Sequence, residues 1–175
     1  HELNNNKNDI VVGGINDSNI SDLLPLLVSL NGLMNIKCVT TLCSQSSLDI
    51  LVSNNIKIIN KKSYDYIKLL DKCIVYISFD CSEPIYEIEM KEAVAMGCLV
   101  LFYNKTGSTK YDSLVLNSLF TIDFESYVNH IECIKTLQST KTEEYNKCIT
   151  QQKEVAKKSL VNTIQIHVNN EYTKL

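Results

Sequence analysis

The chain has 175 residues, 45% of them hydrophobic, which is enough for one domain with a full core. Its formal net charge of −3 excludes the bulk electrostatic attraction expected of a nucleic-acid-binding or membrane-surface protein. All 17 cationic side chains are lysine, so phosphate recognition would rest on point charges without a guanidinium fork.

The first residue is His, and residues 1–8 are Asn-rich and polar. They are expected to be a loose N-terminus or a tag remnant, on a domain cut from a longer protein. Ile10–Gly14 reads as the first strand, closed by two glycines. Ser21 is placed to cap the next helix, with Leu23, Leu24, Leu26, Leu27 and Leu30 on one face and Pro25 in its first turn. Ile36–Leu42 is the second strand, Ser46–Ser53 a short helix, and Ile56–Ile59 the third strand. Ser63–Lys72 follows as a helix, then Ile74–Phe79 as the fourth strand, Ile88–Met96 as a helix and Leu99–Tyr103 as the fifth strand. A polar loop spans 104–118, and Leu119–Ile122 is the expected sixth strand. Phe124–Leu137 carries Tyr127, Val128, Ile131 and Ile134 at helical spacing, and a last helix is expected from Thr142 to about Leu160.

These strands are continuous apolar runs, the pattern of burial on both faces of a parallel sheet. Alternation with helices gives an α/β fold: a doubly wound, Rossmann-like parallel sheet of five or six strands flanked by helices. One such domain is expected over 9–164, with 165–175 as a tail. Ligands in these folds bind beyond the carboxyl ends of the strands, here Gly13–Ser18, Cys43–Ser47, Asn60–Ser63, Asp80–Tyr86 and Asn104–Thr109.

The seven cysteines include no C-x-x-C pair, and several lie in apolar runs. They read as buried free thiols of a reducing, cytoplasmic setting. His1, His130 and His167 fall at no zinc-ligand spacing, and no metal or other cofactor is expected. No apolar run is long enough to span a membrane. The chain has no G-x-G-x-x-G, no phosphate-binding G-x-x-x-x-G-K-[ST] and no G-x-S-x-G nucleophile elbow.

The stretch Tyr76–Tyr103 stands apart: apolar strand, acidic loop, small-residue helix, Gly stop, apolar strand. Glu83, Glu87, Glu89 and Glu92 crowd the loop and the helix after it, with Glu89 and Glu92 on one face and Glu87 four residues before Lys91. Carboxylates at the carboxyl end of a parallel sheet are suited to accept hydroxyl groups of a sugar or ribose. Ser78, Glu83, Glu92-Ala-Val-Ala-Met-Gly97 and Leu99–Leu101 resemble the donor-binding, C-terminal half of retaining GT-B glycosyltransferases. That pattern is a strand, S-x-x-E, an F-G pair, a second Glu seven residues on, then A-M-A-x-G and an apolar strand. Weaker likeness covers residues 9–160.

The resemblance implies a nucleotide-sugar donor with no bound metal, Glu92 on the ribose hydroxyls and Glu83 on the transferred sugar. Tyr86 and Glu87 stand where the family has its F-G pair, and eight residues rather than seven separate Glu83 from Glu92. The family's cations after the first strand are missing from Gly14-Ile15-Asn16-Asp17-Ser18-Asn19. The phosphate contacts are therefore expected from Gly13 and Gly14, and from Lys105, Gly107 and Ser108 after the fifth strand, with Lys110 a further stand-in. GT-B enzymes react in a cleft between two Rossmann-like domains, so a second such domain is expected in cis or in trans. The alternative is a degenerate, non-catalytic Rossmann-like interaction or scaffold domain, and a nucleotide-binding regulator unrelated to sugars is a third reading.

Overall fold

A computed structural model of the chain describes residues 7–61, 64–80, 84–107, 115 and 117–172. In chain order the elements are β1 (Asp9–Asn16), α1 (Ile20–Met34), β2 (Lys37–Leu42), α2 (Gln45–Ser53), β3 (Lys57–Asn60) and α3 (Tyr64–Lys72). They continue as β4 (Cys73–Ser78), α4 (Pro84–Ala95), β5 (Leu99–Tyr103), β6 (Asn117–Leu119), α5 (Phe124–Thr140) and α6 (Thr142–Tyr172).

The six strands form one parallel sheet in the order β3-β2-β1-β4-β5-β6. Strand order reverses between β1 and β4, which is the switch point where loops diverge and leave a crevice. Every residue of β4 is buried, as its unbroken apolar run requires. One face of the sheet carries Leu23, Leu27 and Leu30 of α1, Leu51 of α2, Tyr127, Ile131 and Ile134 of α5, and Tyr145 and Ile149 of α6. The other carries Tyr66, Leu69 and Leu70 of α3 and Met90, Ala93 and Val94 of α4, and Ala156 of α6 joins them. α6 thus serves both cores, and its helix continues to Tyr172, well past the expected end near Leu160.

Several boundaries differ from the sequence expectation. α1 begins at Ile20 with Asn19 as its capping position, two residues before the expected cap Ser21. Pro25 therefore sits beyond the first turn and removes an interior helix hydrogen bond. β6 lies at Asn117–Leu119 rather than Leu119–Ile122, and Phe120 is left exposed beyond it. α4 starts at Pro84, a residue pre-set for the first helical turn, and so draws Tyr86 and Glu87 onto the helix. Gly97 ends α4 at φ 77, with Gly97 N–H donating to Val94 O and Cys98 N–H to Ala93 O.

The N-terminal segment is anchored as far as it is described. Lys7 is 2% exposed, and its ammonium donates to Met96 O at 2.5 Å and Leu70 O at 3.5 Å. These carbonyls lie at the C-terminal ends of α4 and α3, where a cation complements the helix dipoles. Cys38, Cys73 and Cys98 are buried free thiols. Among the described residues no helix is long and apolar enough to cross a membrane.

Candidate functional site

Two corners meet the carboxyl end of the sheet at the switch point. The first is the β1–α1 turn. Gly14 has φ 70, and a Cβ there would lie 2.5 Å from Asp80 N and 3.0 Å from Phe79 N. Only glycine fits this close approach of the ends of β1 and β4, which Phe79 N–H closes by donating to Gly13 O at 3.1 Å. The turn then folds on its own side chains. Asn16 Oδ1 accepts from Ser18 N at 3.0 Å and from Asn19 N at 3.1 Å, while Asn16 Nδ2 donates to Asp80 Oδ2 at 2.7 Å. Asn19 Oδ1 in turn accepts from Asn16 N at 3.0 Å.

Asp17 reaches the start of α2. Its Oδ1 accepts from Ser47 Oγ at 2.6 Å and from Ser44 N and Ser44 Oγ at 2.9 Å each. The Ser47 hydroxyl and then the Ser44 groups hold the Asp17 carboxyl below its ordinary range. Nearby, Cys43 Sγ donates to Ile15 O at 3.2 Å, and burial followed by Asp17 pushes its thiol up to about 11. That thiol is not an activated nucleophile at neutral pH.

The second corner joins the β3–α3 turn to α4. Glu89 is 1% exposed and accepts from Tyr76 Oη at 3.1 Å. Lys61 stands 3.9 Å from Glu89 Oε1 and 3.0 Å from Glu92 Oε2. Tyr66 Oη donates to the same Glu92 Oε2 at 3.1 Å, and the Lys61 ammonium lies 5.8 Å from the centre of the Tyr66 ring. Burial, then the charges of Glu92 and Glu89, keeps the Tyr66 phenol far above its ordinary value, so it acts as a donor. Tyr76 behaves alike, with burial first and Glu89 second. The Glu92 side chain is 41% exposed, so a buried polar cluster ends in a carboxylate that meets solvent.

The residues singled out in the sequence fall into different places. Glu92 sits in the second corner. Gly13 lies within β1 opposite Ser78, and a Cβ on it would come 1.8 Å from Tyr76 Oη and 3.2 Å from Glu89 Oε2. This glycine makes room for the tyrosine hydroxyl. Tyr86 is 1% exposed, and burial pushes its phenol up to about 12, with Asn16 beside it acting the other way. Glu87 pairs with Lys91 at 2.8 Å across one helical turn. Lys105 is exposed just past β5, and Gly107 has φ 67 with the Phe120 ring 3.8 Å from the position of a Cβ. Glu83, Ser108 and Lys110 lie outside the described residues.

Lys61, Asn16 and Asp80 lie in strand ends expected to bind ligand but were given no role there, and Tyr66 and Tyr76 were given none either. A signal existed for the first: Glu89 and Glu92 share a helix face, and such a pair needs a cation near it. No group of three or more His, Cys, Asp or Glu able to hold a metal ion occurs among the described residues.

At the level of sequence, no family model matches the chain, and neither does any curated protein. Among solved structures it is similar to the catalytic domain of cholesterol-alpha-glucosyltransferase from Helicobacter pylori, at TM-score 0.58 and 12% identity. The match covers 85% of this chain and 97% of that one. At this identity the likeness is one of fold: the chain has an α/β Rossmann-like arrangement, a parallel sheet flanked by helices.

Proposed function

We propose that this chain is the donor-nucleotide-binding domain of a GT-B-type glycosyltransferase, transferring a hexose from a nucleotide sugar when a second Rossmann-like domain supplies the acceptor. The observation that carries the reading is Glu92, a partly exposed carboxylate at the carboxyl end of the sheet with one oxygen already held by Lys61 and Tyr66. Such a group accepts hydrogen bonds from a ribose diol. Glu83 is assigned to the transferred sugar. Gly14, Lys105, Gly107 and Ser108 are assigned to the diphosphate, which must be stabilised as it departs with its charge. Gly13, walled off by Tyr76, acts through the fold of β1. A cytoplasmic setting, with its cysteines reduced, belongs to the same proposal.

A thermal-shift series with UDP, GDP, ADP and their sugar conjugates tests it, because a ligand of the native state raises the melting temperature by mass action. One base is expected to give a shift, and Glu92→Ala is expected to remove it while leaving the fold intact, at a cost of about 1–2 kcal/mol for the lost partner of Tyr66 and Lys61. An unchanged shift in Glu92→Ala would sink the ribose assignment.

One observation favours a second reading, a non-catalytic domain derived from the same fold. The β1–α1 turn has no cation, its Ser18 and Asn19 amides are taken by Asn16, and Asp17 and Asp80 add negative charge. That reading predicts no shift with any nucleotide, also after a second domain is added in trans.

A further inference from the structure

We propose that Lys61 and Tyr66 are positioning residues that hold Glu92 so that its second oxygen receives a hydroxyl of a vicinal diol. The inference rests on the donor-nucleotide reading of Glu92 given above. Both contacts fall on Oε2: the Lys61 ammonium at 3.0 Å and the Tyr66 hydroxyl at 3.1 Å. Among the described residues nothing competes for Oε1, which leaves it as the oxygen available to an incoming donor. A glutamate on a helix surface ordinarily samples several rotamers, and ordering it when ligand arrives costs affinity. Two anchors on one oxygen remove most of that freedom in advance.

The anchors are themselves held. The Lys61 side chain is only 15% exposed and lies between Glu92 and the buried Glu89. Glu89 is fixed from below by Tyr76, whose hydroxyl packs against Gly13 in the central strand. A continuous line of contacts therefore runs from β1 through Tyr76, Glu89 and Lys61 to Glu92. An isolated surface ion pair would contribute little order, but here the cation is shared between two carboxylates and covered by the Tyr66 ring. Tyr66 is 4% exposed, and burial with the adjacent carboxylates keeps its hydroxyl protonated as a donor.

The experiment is calorimetric titration of wild type, Tyr66→Phe and Lys61→Met with UDP, GDP and ADP and with their 2′-deoxy counterparts. The quantity read is the ratio of ribo to deoxy affinity for the base that binds. Wild type is expected to prefer the ribonucleotide. Tyr66→Phe is expected to lower the ratio by about fivefold and Lys61→Met by about tenfold or more, with deoxy affinity unchanged in both. Lys61→Met strips the cation from buried Glu89, so Lys61→Met with Glu89→Gln is the companion if the single variant fails to fold, and Tyr66→Phe stands by itself in any case. If wild type prefers the ribonucleotide and Tyr66→Phe keeps the full ratio, the positioning role is overturned and the Glu92 reading stands. Equal loss of ribo and deoxy affinity likewise overturns it, since that is a general structural effect. If wild type binds no ribonucleotide in preference to its deoxy form, the Glu92 reading itself falls, and the inference with it.

Discussion

The two corners at the carboxyl end of the sheet are both networks of polar side chains, and they end in different states. In the β1–α1 corner, half-buried Asn16 and Asn19 and exposed Asp17 are taken up by the amides and hydroxyls around them. In the α3–α4 corner, Lys61 and Tyr66 converge on one oxygen of Glu92 and leave the carboxylate at the surface. A polar group whose valences are met by its own chain is architecture, whereas one held at one end and exposed at the other is poised for a ligand. The comparison separates residues that close the fold from a carboxylate left facing solvent, on a surface where composition alone does not.

The sharpest way to break the comparison is at its hinge, Gly14. With φ 70 and backbone atoms of Phe79 and Asp80 within 3.0 Å of a Cβ, Gly14→Ala cannot be accommodated by rotating a side chain. The expected loss is about 3–5 kcal/mol, from left-handed strain plus overpacking. Urea titration of the two proteins reads it, and a loss under about 1 kcal/mol would mean the β1 and β4 ends separate freely.

Gly13→Ala is the next step down, because the atom it meets belongs to a side chain. The Tyr76 hydroxyl would be 1.8 Å away and must move, taking its hydrogen bond to Glu89 with it. The variant is expected to lose about 2–3 kcal/mol. Tyr76→Phe removes the offending oxygen at a cost of about 1–2 kcal/mol for the lost buried hydrogen bond. Combined, the two changes should cost at least about 1 kcal/mol less than their sum, since they damage one contact. Strict additivity in a double-mutant cycle would show that Gly13 serves something other than Tyr76.

Much of the fold was legible. Continuous apolar runs such as Ile74–Ile77 specify strands buried on both faces, and the leucines of α1 specify the face that packs. The end of β1 was less so, since two glycines read as a stop while β1 runs on to Asn16. Their tolerance of close backbone approach, not chain reversal, is what they supply there. At the site, the resemblance picked out Glu92, but Lys61 and Tyr66 come from a different strand–helix unit. Their meeting with α4 depends on β3 and β4 lying on opposite sides of β1, which local spacing does not encode. The approach of Tyr76, which pairs with Val11, to Gly13 two residues on is hidden for the same reason: only the pairing of β1 with β4 brings the hydroxyl over the missing Cβ.

The smallest expected effect concerns Asp17 and is read through pH. Hydrogen bonds from Ser47 and Ser44 lower its folded-state pKa from the ordinary value of 3.8. A group with a depressed folded pKa binds protons more weakly in the native state, so it contributes stability above its unfolded pKa and loses it as pH falls through the folded value. Asp17→Asn should therefore be slightly less stable than wild type at neutral pH, and the difference should shrink once the solution falls below about pH 4. Urea midpoints of the two proteins across that range provide the check, and a gap that stays constant into strong acid would show that the carboxylate's charge does not matter to the turn. The same variant sharpens the contrast between the corners. It removes a negative charge from the β1–α1 turn while Asn16 still takes the Ser18 and Asn19 amides. If nucleoside diphosphate affinity rises in Asp17→Asn, charge is what keeps phosphate from this corner. If it does not change, the turn is closed by its own hydrogen bonds, and a phosphate must find its donors on the far side of β4.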